Sequence, residues 1–364
     1  MKVLGISNDY YNSNVYKSIH NALICQGIDS TFFVPERLNT KSGLEPKIFE
    51  APCYSKWDRL LYKNKQRKIY RELQNTIAQV QPNIIHAYFL FSAGYIALLA
   101  KQEYGIPYVV TVQNTDINFF LKYAIHLRSL GIRILQNAEK VLFISNTYRE
   151  SLTDRYLPLT EKEDILIKTR IIPFCIDDYW LNTTTKTRER PSRELNIICA
   201  GSIDKNKNQA ATVAACELLV KNGYDVHYTI VGRIRNKQYF MTLEKSKVVS
   251  YNSFMTKEQL SETYQEQDIF IMPSFSESFG LVYAEAMSQG LPILYSQGQG
   301  FDQQFPEGTV GYHVDANNPK DIEEKIIKIL DDYDRISTNC IALSKKFDSK
   351  LISKELIEIY EQIL

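Results

Sequence analysis

Short apolar runs bounded by turn residues alternate with amphipathic stretches along almost the whole chain, the pattern of parallel strands joined by helices. Residues 2–7 read as a first strand, 15–26 as a helix closed by Gly27, and 30–34 as a second strand ended by Pro35. Residues 84–87, 108–111 and 141–144 give three further buried-strand candidates, each followed by a helical pattern, and complete one doubly wound domain over 1–178. A second series, 195–200, 226–231, 247–251, 269–272 and 292–295, predicts a second such domain over 195–347. Between them LNTTTKTRERPSRE (181–194) is polar, charged and without apolar periodicity, so 179–194 is expected to be a solvated linker. A last helix within 348–364 follows Asp348-Ser349; its pattern assigns it to neither domain and leaves a return to the N-terminal one open.

Composition is consistent with this division. A chain of 364 residues can bury two cores, and 44% hydrophobic with 23% charged residues is ordinary for a soluble globular protein. No stretch approaches the run of about 20 apolar residues that spans a bilayer, and the opening MKVLGISND reads as a strand and not as a signal peptide. A cytoplasmic place is therefore expected, with the inner face of the plasma membrane as a variant of it. Six widely spaced cysteines argue against a zinc site or a disulfide framework and read as small buried hydrophobes.

The net charge of +1 hides an asymmetry: residues 1–180 carry 22 basic and 17 acidic side chains, or +5, which leaves −4 for the remainder. The first half is thus the one to meet an anionic surface. Lys56–Arg71, KWDRLLYKNKQRKIYR, mixes seven basic residues with Trp57, Leu60, Leu61, Tyr62, Ile69 and Tyr70. Such a stretch can lie on an anionic membrane, and a solvated helix packed on the first domain accounts for it equally. Nucleic-acid binding is not expected, since no recognition motif accompanies the charge.

The candidate chemistry lies in PSFSESFGLVYAEAMSQGLPIL (273–294). A strand to Met272, a loop and a helix starting at Phe279 or Gly280 put this loop at the carboxyl end of a parallel strand and at a helix N-terminus, where open α/β sheets bind phosphate-bearing ligands. Gly280 lets backbone approach a ligand closely. Glu277 in the loop and Glu285 in the helix bracket the turn. Glu277 near the positive helix end has a stabilising role available to it, worth about 0.3–1 kcal/mol. Glu285, beside Ala284, Ala286 and Met287, is expected to face the sheet, where a carboxylate needs a partner such as a pair of ligand hydroxyls.

These features together resemble the signature of the GT-B-type glycosyltransferases of family 4, a retaining family: the strand, the Glu-x7-Glu spacing, Phe279-Gly280-Leu281, Glu285-Ala286 and Gly290-Leu291-Pro292. Residues 82–116, with Gly105-Ile106-Pro107 and the loop Thr111 to Asp116, are similar to the N-domain run of that family, as are Ile144-Ser145 and Ile172-Pro173 with Ile176-Asp177. The resemblance implies a GT-B fold, two Rossmann-like domains facing a central cleft, with the donor held mainly by the C-terminal half. It implies that Glu277 contacts the donor sugar, that Glu285 binds ribose hydroxyls, and that backbone at Ser278, Phe279, Gly280 and Leu281 holds sugar and diphosphate. Gly201, Ser202 and Lys207 match the loop in which the family carries Gly-Arg-Leu and a Lys. Ser202 replaces the Arg, so one phosphate charge lacks its bidentate partner. Lys205 or Arg233 is available to replace it, and both also read as solvated loop charges.

On the acceptor side the resemblance points to Asn12, His86, Gln113 and Asp116. Asn12-Ser13-Asn14 stands where a Gly-Gly-type loop is common, and Gln113 where a His is common, which leaves Asp116 as the matching polar group and a catalytic candidate beside Glu277 and Lys207. Phe174-Cys175 replaces a usual Asn-Gly. His86 is expected to make a core hydrogen bond, with an acceptor-cleft role second, and His20, His126, His227 and His313 read as structural.

The reading that follows is a retaining, metal-independent hexosyltransferase without a cofactor. It moves a hexose or N-acetylhexosamine from a nucleotide-sugar, taken to be a UDP-sugar on the family's habit, to a glycan or lipid-linked acceptor in bacterial surface polysaccharide synthesis such as capsule. No Asp-x-Asp follows a strand, so no metal site is expected. A non-catalytic sugar- or partner-binding homologue, motivated by Ser202 and Gln113, and a nucleotide-sugar epimerase are the alternatives.

Overall fold

The computed structural model describes residues 1–38, 46–183 and 188–364, apart from the side chains of Arg59 and Leu60, which belong to the Lys56–Arg71 stretch and lie outside the described residues. The chain divides into two compact units, Met1–Asp177 with Ser349–Leu364, and Asp178–Asp348.

In the first unit the strands are β1 (Lys2–Ile6), β2 (Asp29–Arg37), β3 (Ile48–Tyr54), β4 (Ile84–Ala87), β5 (Tyr108–Val112), β6 (Lys140–Phe143) and β7 (Thr169–Ile171). All pair in parallel, in the order β3-β2-β1-β4-β5-β6-β7. β4 and β5 are buried at every position, and Ile84, Ile85, Val109 and Val110 form the sheet's centre, as expected where helices cover both faces. The sequence reading misses β3 and β7, the two edge strands. β3 carries Glu50 and Pro52 and so shows no apolar run, and β7 is three residues long. β2 also runs past Pro35, because its pairing with β1 stops at Phe33 and only β3 flanks it beyond that point.

The helices of this unit include α1 (Asn14–Cys25), α2 (Tyr62–Val80) and α3 (Gly94–Tyr104). α1 is capped by the Ser13 hydroxyl. The chain's last helix, α4 (Ser349–Glu361), belongs here too and packs on α1. Its Ile352, Leu356 and Tyr360 are buried, and the Gln26 side chain donates to the Lys350 carbonyl at 3.1 Å.

The second unit holds β8 (Glu194–Ala200), β9 (Asp225–Val231), β10 (Val249–Asn252), β11 (Ile269–Met272), β12 (Ile293–Ser296) and β13 (Gly311–Val314), all parallel in the order β10-β9-β8-β11-β12-β13. β13, again an edge strand, has no counterpart in the sequence reading. The direction of winding reverses between β8 and β11, so the loops after these two strands face one crevice of the sheet edge.

The segment read as a solvated linker is in part structured. A short helix over Asp178–Asn182 buries Trp180, whose ring lies 5.8 Å from that of Tyr264. Residues 184–187 lie outside the described residues. Arg188, half-buried, donates to the carbonyls of Gln289 at 2.9 Å, Tyr264 at 2.6 Å and Gln267. A single side chain with five donors thus ties the segment to the second unit, which local polarity does not disclose.

Candidate active site

In the second unit the loops after β8 and β11 converge. The Ser202 hydroxyl donates to Asp204 at 2.7 Å, and the other Asp204 oxygen accepts from the backbone N–H groups of Asn206 at 2.9 Å and Lys207 at 3.1 Å. This Asx-type turn aims Lys207 across the crevice. Asn206 fastens the two loops, its amide donating to the Ser276 carbonyl at 2.9 Å and accepting from the Ser276 N–H at 3.1 Å. The Lys207 ammonium forms an ion pair with Glu277, and both side chains are largely buried, 18% and 12% exposed.

Glu277 is itself held in place. Its N–H donates to the Gln299 side chain at 3.0 Å, and the Gly300 N–H donates to its carbonyl at 3.2 Å. Gly280 follows in the left-handed region (φ 79) and caps the helix Leu281–Ser288 without a side-chain partner. A Cβ there would lie 2.5 Å from Cδ2 of Tyr283 and closer still to Cε2. Tyr283 cannot retreat, because it is buried and its hydroxyl donates to the Met272 carbonyl.

Ser278 is exposed and Leu281 half-buried, whereas the Phe279 side chain packs in the core against Phe301 and Phe347 at 5.8 and 5.7 Å. Phe279 is therefore available to a ligand through its backbone only. Glu285 is half-buried and does not face the sheet as expected: Tyr283, Ala284, Ala286 and Met287 do. Its charge acts on Tyr264, a fully buried residue whose hydroxyl has no hydrogen-bond partner among the described residues.

Beside Lys207, Gly201 has room: a Cβ there would meet Met272 Sδ at 3.6 Å and Lys207 Cε at 3.8 Å, ordinary contacts. The loop after β9 lies against the same turn, since a Cβ on Gly232 would fall inside the Gly201 carbonyl, and the Ile203 N–H donates to the Arg233 carbonyl at 2.9 Å. The Arg233 guanidinium is exposed, 4.8 Å from the Phe254 ring centre, and Lys205 is exposed.

In the first unit the four residues assigned to the acceptor side have mostly structural surroundings. Asp116 is 1% exposed and clamps backbone: it accepts from Leu90 at 3.0 Å, Phe91 at 3.2 Å and Gln113 at 3.0 Å. Burial raises its pKa to about 6 against the pull of those three N–H groups. Three of its lone-pair sites serve the loop, so the duty the structure shows for this expected catalytic residue is to position backbone. His86 is buried with both ring nitrogens engaged, by Tyr360 at 2.7 Å and Thr111 at 2.8 Å, and its ring stacks on Tyr88. Burial lowers its pKa to about 3, so it is a neutral core group, as its primary reading held, and no acceptor contact. Gln113 is likewise core, donating to Tyr88 O and Tyr16 OH at 2.5 and 3.1 Å. Asn12 is exposed and turned to Asp9 at 3.2 Å.

What the first unit does offer at the carboxyl ends of β1, β4 and β5 is a cavity of about 540 Å3. Asn8, Asp9, Ser92 and Asp116 line it together with Tyr62, Phe89, Phe119 and Phe120. Sequence reasoning missed it because its walls come from four separate segments. Also missed were Asp204, Asn206 and Gln299, which hold Lys207 and Glu277; of these, only the short Asp-x-Asn-Lys spacing is a local signal.

His126, read as structural, lines the cavity. His313 lies 3.3 Å from both Asp302 and Glu307, the one Asp-Glu-His group among the described residues whose ligand atoms converge. Those carboxylates already accept from Gly298 N, Gln303 N, His313 N and Tyr295 OH. Of the cysteines, Cys25 is exposed and Cys53 half-buried, while the other four are buried. No described helix is long and apolar enough to cross a membrane.

Two parallel-sheet, Rossmann-like units are the fold of the GT-B glycosyltransferases. Residues 13–166 match the family described as Glycosyltransferase Family 4, and residues 183–347 match Glycosyl transferases group 1. The chain belongs to the GT-B-type glycosyltransferases of family 4, group 1, which transfer sugar from nucleotide-sugar donors. Among its relatives, a D-inositol 3-phosphate glycosyltransferase of Paenarthrobacter aurescens is 26% identical over 68% of this chain and 64% of its own length. Among solved structures, sucrose-phosphate synthase of Thermosynechococcus elongatus superposes with a TM-score of 0.77 at 17% identity, over 100% of this chain and 99% of that one. HepE of Anabaena in complex with UDP and glucose gives 0.68 at 16% identity over the whole of both chains.

Proposed function

We propose that this protein is a retaining hexosyltransferase that takes a hexose or N-acetylhexosamine from a UDP-sugar without a metal ion, and passes it to a glycan or lipid-linked acceptor in bacterial surface polysaccharide synthesis. The observation that carries the reading is the Lys207–Glu277 pair poised over the Gly280 turn. It is a cation and a carboxylate at a helix N-terminus, fastened by Asp204 and Gln299 and largely withdrawn from water. Each charge balances the other; a donor diphosphate would take up Lys207 and a sugar hydroxyl would take up Glu277, so both partners exchange without leaving a buried charge unpaired. Glu285, half-buried in the helix after the turn, would take the ribose hydroxyls.

In the transfer the C1–O bond to the diphosphate breaks and a C1–O bond to the acceptor hydroxyl forms on the same face, the acceptor proton passing to the departing phosphate oxygen. Lys207, Arg233 and the N–H groups from Ser278 to Leu281 supply the positive field that replaces a metal ion. UDP in a solved structure of this fold, that of HepE, supports the choice of base. Ser202 and Gln113, the departures that would favour a non-catalytic homologue, have structural duties, at Asp204 and Tyr88.

The test is calorimetry and thermal shift with UDP, GDP, dTDP and ADP, since a bound nucleotide raises stability by mass action. UDP alone, or UDP most strongly, is expected to raise the melting temperature. Glu285→Ala is expected to weaken UDP binding and Glu277→Gln to lower turnover with UDP binding kept; no stabilisation by any nucleotide would refute the reading.

A further inference from the structure

The cavity of the first unit has an apolar, basic mouth. Phe119 in its wall and four other large hydrophobic side chains on the two segments that supply much of that wall, Trp57, Leu61, Tyr123 and Ile125, are between 56% and 69% exposed. They come from two segments that are 50 residues or more apart in sequence and meet where Tyr62 faces Phe120, ring centres 6.4 Å apart. Residues of both segments line the cavity, Tyr62 and Gln66 on one side, Phe119, Ala124 and Leu127 on the other. Scattered exposed apolar residues need no explanation, but five on the two segments that meet at one cavity do.

The two segments at this mouth are mainly basic, while Asp9, half-buried, adds one carboxylate to the cavity wall. On residues 56–71 and 116–128 the acidic groups are Asp58 and Asp116 alone. Asp58 is paired with Lys68 at 2.8 Å, and Asp116 is buried. Lys56, Lys63 and Lys122 are exposed. Lys56 and Lys122 extend over Trp57 and Tyr123, 5.3 and 5.1 Å from the ring centres, so cation and apolar surface are presented together. The rest of α2 is committed elsewhere: Ile69, Leu73 and Ile77 are buried in the unit, and the Tyr70 hydroxyl donates to Glu103 at 2.7 Å. The helix thus cannot lie flat on a membrane along its whole length; its N-terminal end can meet one.

We propose that this mouth docks on an anionic lipid bilayer, inserting Trp57, Leu61, Tyr123 and Ile125 while Lys56, Lys63 and Lys122 meet the headgroups, so that the cavity receives an acceptor carried by a lipid. The inference rests on the sugar-transfer reading above and selects the lipid-linked acceptor from its two acceptor classes. Apolar insertion and basic headgroup contacts are the two signals that stable peripheral binding requires.

The test is co-sedimentation with vesicles of phosphatidylcholine, with and without phosphatidylglycerol. The wild type is expected to pellet with the anionic vesicles and less as salt rises. Lys56→Ser/Lys63→Ser/Lys122→Ser should lower that partitioning about a hundredfold, at roughly fivefold per lysine. Trp57→Ser/Leu61→Ser/Ile125→Ser should lower it by about tenfold per side chain, whatever the salt. UDP calorimetry on the same proteins should not change, because none of these residues is in the second unit. A wild type that stays in the supernatant at low salt, or an apolar variant that pellets like wild type, overturns the docking proposal; if UDP still binds, the sugar-transfer reading survives. Pelleting without any nucleotide binding supports docking and removes the donor reading instead.

Discussion

Gly280 and Gly201 look equivalent as loop glycines at strand ends, yet alanine should do opposite things at the two. At Gly280 the backbone is left-handed (φ 79), which costs a residue with a Cβ about 1–2 kcal/mol. The new methyl would also press on the Tyr283 ring, 2.5 Å from Cδ2, and on Glu277 Cγ at 3.2 Å. Tyr283 is pinned by the Met272 carbonyl, so the strain is not relieved by a rotamer change, and overpacking adds about 1–3 kcal/mol. The sum is about 2–5 kcal/mol, or roughly 10 °C in the melting temperature of a unit this size. At Gly201 φ is not left-handed and the nearest atoms, at 3.6 and 3.8 Å, are ordinary contacts, so Gly201→Ala should stay within about 0.5 kcal/mol of wild type. Its methyl would nonetheless occupy space beside Lys207 and should weaken UDP binding. Calorimetric melting of both variants, with and without UDP, reads both quantities. A Gly280→Ala protein melting with wild type would refute the steric reasoning, and a Gly201→Ala protein that is destabilised yet binds UDP normally would invert it.

Lys207→Ala should lower turnover most, and Arg233→Ala should follow if that guanidinium meets the phosphate charge left by Ser202, at about 2.7–4 kcal/mol per lost donor; donor hydrolysis assays on these and Lys205→Ala decide it, and an effect at Lys207 alone removes the compensating role. Activity should survive EDTA, and loss on chelation with recovery on adding magnesium or manganese would sink metal independence. Asp116 has a folded pKa raised to about 6, so protonation favours the fold: its stabilising contribution is full below the unfolded value near 3.8 and is lost as pH rises through 6. Asp116→Asn keeps one acceptor oxygen for three N–H donors, so it should cost about 1–3 kcal/mol at pH 4 and less at pH 7. The opposite pH trend from His86, whose pKa is lowered to about 3, cancels in the difference; a difference in melting temperature that is flat from pH 4 to 7 would count against a protonated Asp116.

The central strands were legible in the sequence because burial on both faces demands continuous apolar runs, as in Ile84–Ala87 and Ile269–Met272. The turn at Gly280 was legible because its chemistry is local: strand end, left-handed glycine and helix start are consecutive. The edge strands β3, β7 and β13 were not, since an edge is held by one neighbour and needs no apolar signature. Side-chain roles at a distance were decided by the tertiary structure alone. Whether Asp116 faced a substrate or its own loop depended on the N–H groups of Leu90 and Phe91, some 25 residues away, and the fate of His86 depended on Tyr360, 274 residues away. The last helix shows no preference of its own for either domain, and its place followed from the surfaces of α1 and β4 that it completes. Sequence by itself determined which segments become central strands, helices and glycine turns, because backbone geometry and burial period act over a few residues; which polar groups are consumed by the fold, and which remain for chemistry, is a matter of long-range hydrogen-bond satisfaction.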